Sequence, residues 1–303
     1  MRSLGARLIG AAIRLLTYPR RKKCGSLSES VKQRRRPYEP PDGMTLSTIE
    51  AGAVKVEILT PEKFSVRLIH FHGGGRTQPL EGFYRSVAEL YADRLCAEVW
   101  SIDCRTGGDL VHPALLDDCL AALDAIAEVK PLGCFAAIGD SLGAALMFAS
   151  CMKLRDAGRA APFALIAFSP FCDLSASGES YLRNAHKDPI YGLPYHMSAS
   201  VHGARLRRVP AYCGGTPPTD PYLSPVFGDL KGLPPIAVYA GGYETSESDA
   251  EMIAAAAERG KVPVRLMVAD GLFHDFMLFA PFLKESRRVF ADAAAFLRSA
   301  GAL

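Results

Sequence analysis

From Met44 onward, short apolar runs alternate with segments of helical periodicity, and this alternation constrains the fold more than any other feature. Several runs are continuous and bounded by Gly, Pro or Asp, which is typical of strands buried on both faces. The predicted strands are Met44–Ile49, Val54–Leu59, Val66–Phe71, Ala97–Ile102, Phe135–Ile138, Phe163–Phe168, Ile236–Ala240 and Val262–Val268. The predicted helices are Gly82–Leu95, Ala114–Val129, Ser141–Ala157, Ser246–Arg259 and Phe276–Ser299.

Strands that alternate with helices over short connections predict an α/β fold, with a mostly parallel central sheet of about eight strands and helices on both faces. No helical pattern separates the first two strands, so we expect them to form an antiparallel lead-in. Open α/β sheets bind ligands at the carboxyl ends of their strands. Functional side chains are therefore expected at that edge of the sheet.

A G-x-S-x-G pattern, Gly139 to Gly143, lies between the strand run that ends at Ile138 and a helical pattern. A strand that turns sharply into a helix needs small residues on either side of the serine, because side chains there would collide. The turn exposes the serine hydroxyl at the positive end of the helix dipole. Ser141 is therefore predicted to be a nucleophile, although a serine that caps the helix would fit the same pattern.

Three successive glycines, Gly73 to Gly75, follow His72 at the end of the third predicted strand. Without side chains, their backbone N–H groups can approach a ligand closely. Such donors stabilise the oxyanion of a tetrahedral intermediate, and each lowers the barrier by roughly 2.7–4 kcal/mol. A phosphate loop would need G-K-[ST], or G-x-G-x-x-G opening a helix, and this loop has neither. Nucleotide binding is therefore disfavoured.

With these two motifs in this order, the sequence resembles the hormone-sensitive-lipase-like family of α/β-hydrolase carboxylesterases, which pairs an H-G-G-G loop with a G-D-S-A-G-G elbow. The segments Ile102–Arg105, His112–Asp118, Asp220–Pro225 and Leu233–Pro235 are similar to further blocks of that family. The resemblance implies the α/β-hydrolase fold with a helical cap. It also implies hydrolysis of short-chain esters, acetyl to about hexanoyl, because such a cap encloses the site.

The family builds its cap from amino-terminal helices and from an insertion after the strand that follows the elbow. The resemblance therefore divides the chain into an amino-terminal cap helix and linker (residues 1–43), a catalytic domain (44–171 and 210–303) and a cap insertion (172–209). The insertion has no strand pattern and interleaves Tyr and His with Leu and Met.

The resemblance also implies a triad in the order serine, acid, histidine. Glu244 stands where the family places its acid, after the strand run that ends at Ala240. His274 lies in a G-x-x-H-x-F pattern after the last strand and is the only histidine beyond Glu244. Its Nε2 would take the Ser141 proton, while the Glu244 carboxylate would accept the hydrogen on Nδ1. Glu247 and Asp249 are the alternative acids.

By the same resemblance, the oxyanion hole is assigned to Gly73, Gly74, Gly75 and Leu142. The donors are the N–H groups of Gly74, Gly75 and Leu142, and Gly73 lines the hole. His72 and Asp140 are expected to hold the shape of the loop by hydrogen bonding. Leu142 stands where the family usually has alanine, which places a larger side chain beside the acyl group.

The segment Met1–Arg36 holds 11 Lys and Arg against the single acid Glu29, a charge of +10 in a chain of net charge +3. Apolar residues from Leu4 to Leu16 recur at helical spacing and predict an amphipathic helix. A solvated helix packed on the body and a weak contact with an anionic membrane surface both remain open. The apolar run Leu8–Ile13 is too short for a secretory signal or a membrane span, so we expect a cytoplasmic location.

The eight cysteines are scattered without a C-x-x-C pair, which predicts reduced thiols and no metal site. We expect no cofactor, no nucleic-acid partner and a small-molecule ester as substrate, and a homodimer is left open. The letters Gly-Asp-Ser-Leu also occur in GDSL hydrolases, but that family places them near its amino end. Amidase, peptidase or deacetylase chemistry on the same triad, and a non-catalytic ligand-binding homologue, are the alternatives.

Overall fold

The computed structural model describes residues 3–21, 38–74, 78–107, 109–193, 198–199 and 211–301. These residues form eight strands and seven α-helices. The strands are β1 (Met44–Ala51), β2 (Val54–Pro61), β3 (Val66–Phe71), β4 (Ala97–Asp103), β5 (Ala136–Asp140), β6 (Ala164–Phe168), β7 (Ile236–Gly241) and β8 (Val264–Ala269). The helices are α1 (Leu4–Arg21), α2 (Phe83–Leu95), α3 (Ala114–Val129), α4 (Leu142–Asp156), α5 (Ser180–Arg183), α6 (Glu247–Arg259) and α7 (Lys284–Ala300).

The strands form a single sheet in the order β1-β2-β4-β3-β5-β6-β7-β8. β1 pairs with β2 and β2 with β4 in antiparallel register, and every other pair is parallel. All residues of β5, β6 and β7 are buried, as expected of strands covered on both faces. The predicted α/β fold, its strand number and its antiparallel lead-in are confirmed.

Apolar side chains of the strands point alternately to the two faces of the sheet, and helices cover each face. Ala137 of β5 joins a core with residues of α3, α4 and α6, whereas Ala136 and Ile138 join a second core with residues of α2 and α7. In the second core, the Phe168 ring packs edge-on against three rings. Their centroids lie 5.9 Å (Tyr91), 5.5 Å (Tyr239) and 5.6 Å (Phe290) away. This core holds the carboxyl end of β6 beside those of β5 and β7.

The prediction of one continuous helix from Phe276 to Ser299 was wrong. A 3₁₀ turn covers Phe276–Phe279, and α7 begins only at Lys284. Pro281 explains the break, because it has no N–H to donate and its ring would clash with a helical carbonyl four residues earlier. The last strand also begins later than predicted, directly after Pro263.

Helix α1 packs on the body with its apolar side, with Ala6 buried and Ile9 and Ile13 against the second core. Ser3 anchors the start of α1, since the Ser3 N–H and hydroxyl both donate to the Glu285 carboxylate, at 2.7 Å and 2.9 Å.

Within the described ranges, no helix has the length and apolar character needed to cross a membrane. Residues 1–2, 22–37, 194–197 and 200–210, which belong to the predicted cap helix, linker and insertion, lie outside the described residues.

Candidate active site

Ser141 stands alone between β5, which ends at Asp140, and α4, which begins at Leu142. Its φ of 52° is positive, a conformation that costs a residue other than glycine about 1–3 kcal/mol. Backbone hydrogen bonds hold this turn in place: the Ser141 N–H donates to Phe168 O at 3.0 Å, and the Phe171 N–H donates to Ser141 O at 3.1 Å. The β6 end therefore fixes the serine at the carboxyl edge of the sheet.

Both glycines of the G-x-S-x-G pattern are required by close backbone approach. A Cβ on Gly139 would lie 2.8 Å from the backbone of Gly143, across the turn. A Cβ on Gly143 would lie 2.0 Å from Phe71 O and 2.7 Å from His72 C. The start of α4 is thus pressed against the end of β3, which brings the serine beside the glycine-rich loop.

The predicted triad side chains form one hydrogen-bonded chain in the buried interior. His274 Nε2 lies 3.0 Å from Ser141 Oγ, and His274 Nδ1 lies 3.2 Å from Glu244 Oε2. A carboxylate only accepts, so the imidazole hydrogen on Nδ1 points to Glu244 and the Nε2 lone pair can face the serine hydroxyl. This is the arrangement that a general base acting on Ser141 requires.

Glu244 is held by several donors. The Ser169 hydroxyl donates to Oε1 at 2.7 Å, and the Gly241 N–H donates to the same oxygen. The Ser246 hydroxyl lies 3.5 Å from Oε2. These contacts hold the carboxylate in one orientation.

The two alternative acids serve the insertion. Glu247 forms an ion pair with Arg183 of α5. Asp249 accepts hydrogen bonds from the N–H groups of Cys172 and Asp173, at 2.8 Å and 3.0 Å, and from the Tyr181 hydroxyl at 3.0 Å. In the described part of the chain neither carboxylate contacts His274, whereas the Glu244 carboxylate does.

Asp140 joins the elbow to the glycine-rich loop. Its Oδ1 accepts the Gly73 N–H at 3.1 Å, and its Oδ2 lies 3.4 Å from the Tyr84 hydroxyl. The Gly73 N–H is therefore occupied, which leaves Gly73 as a wall of the predicted oxyanion hole.

The Leu142 N–H has no partner in the helical hydrogen-bond pattern, because Leu142 is the first residue of α4. Gly74 has a φ of +79°, and Gly75 lies outside the described residues.

His72 is placed to support this loop. Its Nδ1 lies 3.0 Å from Gly73 O, and since a carbonyl only accepts, Nδ1 carries the hydrogen. Burial lowers the pKa of His72 to about 4, so the ring is neutral near pH 7. A neutral imidazole that donates to the loop backbone fits a structural role.

The structure adds site residues that the sequence reasoning missed. Ser169 follows β6 directly, a position at the carboxyl edge that could have drawn attention. Asp275, next to His274 in the chain, places Oδ2 only 3.2 Å from His274 Nε2. The Tyr191 ring stands edge-on to the His274 ring with 4.7 Å between centroids. No signal in the sequence singles out Tyr191 among the tyrosines of the insertion.

Charge around His274 favours its protonated form. Burial alone lowers the pKa of His274, but the carboxylates of Asp275 and Glu244 outweigh it and raise the pKa well above its ordinary value.

Across the described ranges, no cluster of three or more His, Cys, Asp or Glu side chains could hold a metal ion. The seven described cysteines are free thiols.

Comparison with known proteins identifies the family. A family model described as alpha/beta hydrolase fold matches residues 68–278. An acetyl-hydrolase of Streptomyces hygroscopicus is 31% identical over 255 residues, which are 83% of this chain and 82% of that protein. An esterase of Acinetobacter venetianus is 27% identical over 254 residues, 83% of this chain and 81% of that protein.

A solved structure of an esterase from the bacterial hormone-sensitive lipase family is 25% identical, covers 99% of both chains and gives a TM-score of 0.80. The chain therefore belongs to the α/β-hydrolase-fold family, and the resemblance to its hormone-sensitive-lipase-like members is confirmed.

The packing around the elbow predicts that an alanine at Gly143 destabilises the protein, whereas an alanine at Gly133 does not. Gly143→Ala should lower the free energy of unfolding by about 1–3 kcal/mol, because the new methyl group collides with the β3 backbone. It should also impair hydrolysis of p-nitrophenyl acetate. Gly133→Ala is the control, since a Cβ at Gly133 meets nothing within 4 Å. Urea unfolding and ester assays measure both effects, and equal stability of the two variants would contradict the packing argument.

Proposed function

We propose that this protein is a serine carboxylesterase that hydrolyses short-chain carboxylic esters through an acyl-enzyme intermediate. The observation that carries the proposal is the hydrogen-bonded chain from Ser141 Oγ through His274 to Glu244, at 3.0 Å and 3.2 Å. These three hydrogen-bonded side chains lie beside the glycine-rich loop, at the edge of the sheet where α/β enzymes bind their ligands. The relatives named acetyl-hydrolase and esterase support the same reaction class.

In the acylation step, Ser141 Oγ attacks the ester carbonyl while His274 Nε2 takes its proton. Glu244 accepts the Nδ1 hydrogen and stabilises the imidazolium that forms. The carbonyl oxygen becomes an oxyanion, which the N–H groups of Gly74, Gly75 and Leu142 stabilise. His274 then gives its proton to the departing alcohol. Water repeats the sequence on the acyl-enzyme and releases the acid.

The proposed substrates are small esters, acetyl to about hexanoyl. The Leu142 side chain packs against neighbouring apolar side chains where the family usually has a methyl group. This larger side chain beside the acyl group favours short acyl chains.

Residues 1–43 and 172–209 are proposed to form the cap over this site. The Arg14 side chain of α1 donates to the carbonyl oxygen of His186 in the insertion at 3.0 Å. The insertion reaches the site through Tyr191, whose ring covers His274. The cytoplasmic location and the homodimer stay predictions from the sequence.

An acyl-chain series of p-nitrophenyl esters tests the proposed function. We expect the highest kcat/KM between acetyl and hexanoyl, and a loss of at least about a thousandfold in Ser141→Ala. A p-nitroanilide of the preferred acyl group should be hydrolysed far more slowly than the ester. Highest activity on chains of C12 or longer would contradict the short-chain proposal, and equal activity on the anilide would favour an amidase.

A weak contact with an anionic membrane surface is proposed for α1. Its outer face exposes Leu4 (71%), Leu8 (62%) and Leu15 (76%), on the side opposite to the packed Ile9 and Ile13. The first 36 residues carry a charge of +10. Exposed leucines on a basic helix are the combination that binds the headgroup region of anionic bilayers.

Vesicle flotation tests this contact. At low ionic strength, the protein should float with phosphatidylglycerol vesicles and stay behind with phosphatidylcholine vesicles, and salt should release it. The double variant Leu8→Ser with Leu15→Ser should lose the binding. Val129→Ser, which removes an exposed apolar side chain from α3, is the matched control and should bind normally. No flotation of the unaltered protein would refute the proposal.

A further inference from the structure

Asp275 occupies a constrained position directly after His274. Its φ of 54° lies in the left-handed region, which side chains other than glycine rarely adopt. The Asp275 N–H donates to Ser169 Oγ at 2.9 Å, and the same hydroxyl donates to Glu244 Oε1 at 2.7 Å. Ser169 therefore ties the backbone of Asp275 to the acid of the triad, and this conformation turns the Asp275 carboxylate towards His274.

His274 is the partner that neutralises the Asp275 carboxylate. Oδ2 lies 3.2 Å from His274 Nε2, and the Asp275 side chain is only 15% exposed. Its other oxygen, Oδ1, is buried and has no hydrogen-bond donor in the part of the chain that the structure describes. A carboxylate buried in this way is costly unless a cation faces it. The imidazolium form of His274 is the cation available at this place.

Ser141 and Asp275 each place an oxygen atom close to His274 Nε2. Ser141 Oγ lies 3.0 Å from this nitrogen and Asp275 Oδ2 lies 3.2 Å from it. When His274 is neutral with its hydrogen on Nδ1, the Nε2 lone pair faces the negative charge of Asp275, which is repulsive. When His274 is protonated, its positive charge faces the Asp275 carboxylate at 3.2 Å, and attraction replaces the repulsion.

We propose that Asp275 is a positioning residue that holds the Nε2 proton of His274 in the resting enzyme, so that ester hydrolysis starts only at a pH that releases this proton. The inference rests on the esterase function proposed above. On release, the proton passes from Nε2 to water and leaves a neutral imidazole. Nε2 can then take the Ser141 proton as Oγ bonds to the acyl carbon, and later return it to the leaving alcohol.

The other charged groups around Asp275 and His274 also favour the protonated form of His274. The titratable groups that face the pair from the neighbouring elements are Glu244, Asp188, Asp140, Tyr84, Tyr91 and Tyr191. Burial raises the pKa values of Tyr84 and Tyr91, and both side chains stay neutral. Burial likewise raises the pKa of Asp275, against the lowering effect of the neighbouring His274. The pair therefore keeps one proton at neutral pH, and the base form of His274 appears as the pH rises.

The pH dependence of kcat/KM for p-nitrophenyl acetate tests the proposal in two variants. Asp275→Asn keeps the shape and removes the charge, while Asp275→Gly suits the positive φ and removes the side chain. In both variants the midpoint of the acid limb should move down by about one to three pH units. At pH 6 each variant should hydrolyse the ester at least about tenfold faster than the unaltered enzyme, because the base is then free.

Asp93→Asn is the matched control, because Asp93 is an exposed carboxylate on α2 and its loss changes the net charge equally. This variant should keep the midpoint of the unaltered enzyme. An unshifted midpoint in either folded Asp275 variant, or a uniform loss of activity at all pH values, would overturn the role of Asp275. A complete lack of esterase activity in the unaltered protein, by contrast, would refute the proposed function itself.

Discussion

The close approach of the α4 start to the end of β3 is the contact on which the site depends. Because a Cβ at Gly143 would lie 2.0 Å from Phe71 O, only glycine allows the two backbones to meet. Their contact sets the Leu142 N–H beside the glycine-rich loop and presents the Ser141 hydroxyl above the sheet. The parallel strands also position the other two residues of the predicted triad, since Glu244 follows β7 and His274 follows β8. The fold thus turns groups distant in sequence into neighbours.

Buried charge is the second constraint. His274 lies between Glu244 on Nδ1 and Asp275 on Nε2, and Ser169 binds the carboxylate of one and the backbone of the other. In the proposed mechanism, Glu244 stabilises the imidazolium through Nδ1, away from the nitrogen that takes the serine proton. In its proposed role, Asp275 stabilises the same ion at Nε2 and so raises the pH at which Nε2 loses its proton. One histidine therefore has two acid partners with opposite consequences for its use as a base.

The sequence allowed much of the fold to be predicted for a simple physical reason. Strands buried on both faces, such as β5, β6 and β7, are continuous apolar runs, and each of the eight predicted runs overlaps one strand of the sheet. The spacing of Gly139 and Gly143 around Ser141 reflects a steric demand that no other residue satisfies. The helix expected from Phe276 failed because Pro281 interrupts an otherwise suitable pattern.

The local electrostatics of the site could not be predicted in the same way. The direction of the Asp275 carboxylate depends on a left-handed backbone conformation, which Ser169 holds from a different strand end. The edge contact of Tyr191 with His274 depends on the path of the insertion. Both arise from tertiary contacts, which leave no periodicity or spacing in the chain.

The proposed function requires Ser141 to be a nucleophile activated by His274. Reaction with a fluorophosphonate, followed by mass spectrometry of the modified peptide, measures this most directly. We expect one phosphonylated residue, Ser141, in the folded protein, no reaction after unfolding, and a rate at least about a thousandfold lower in His274→Ala. No modification, modification of another serine, or an unchanged rate in His274→Ala would contradict it.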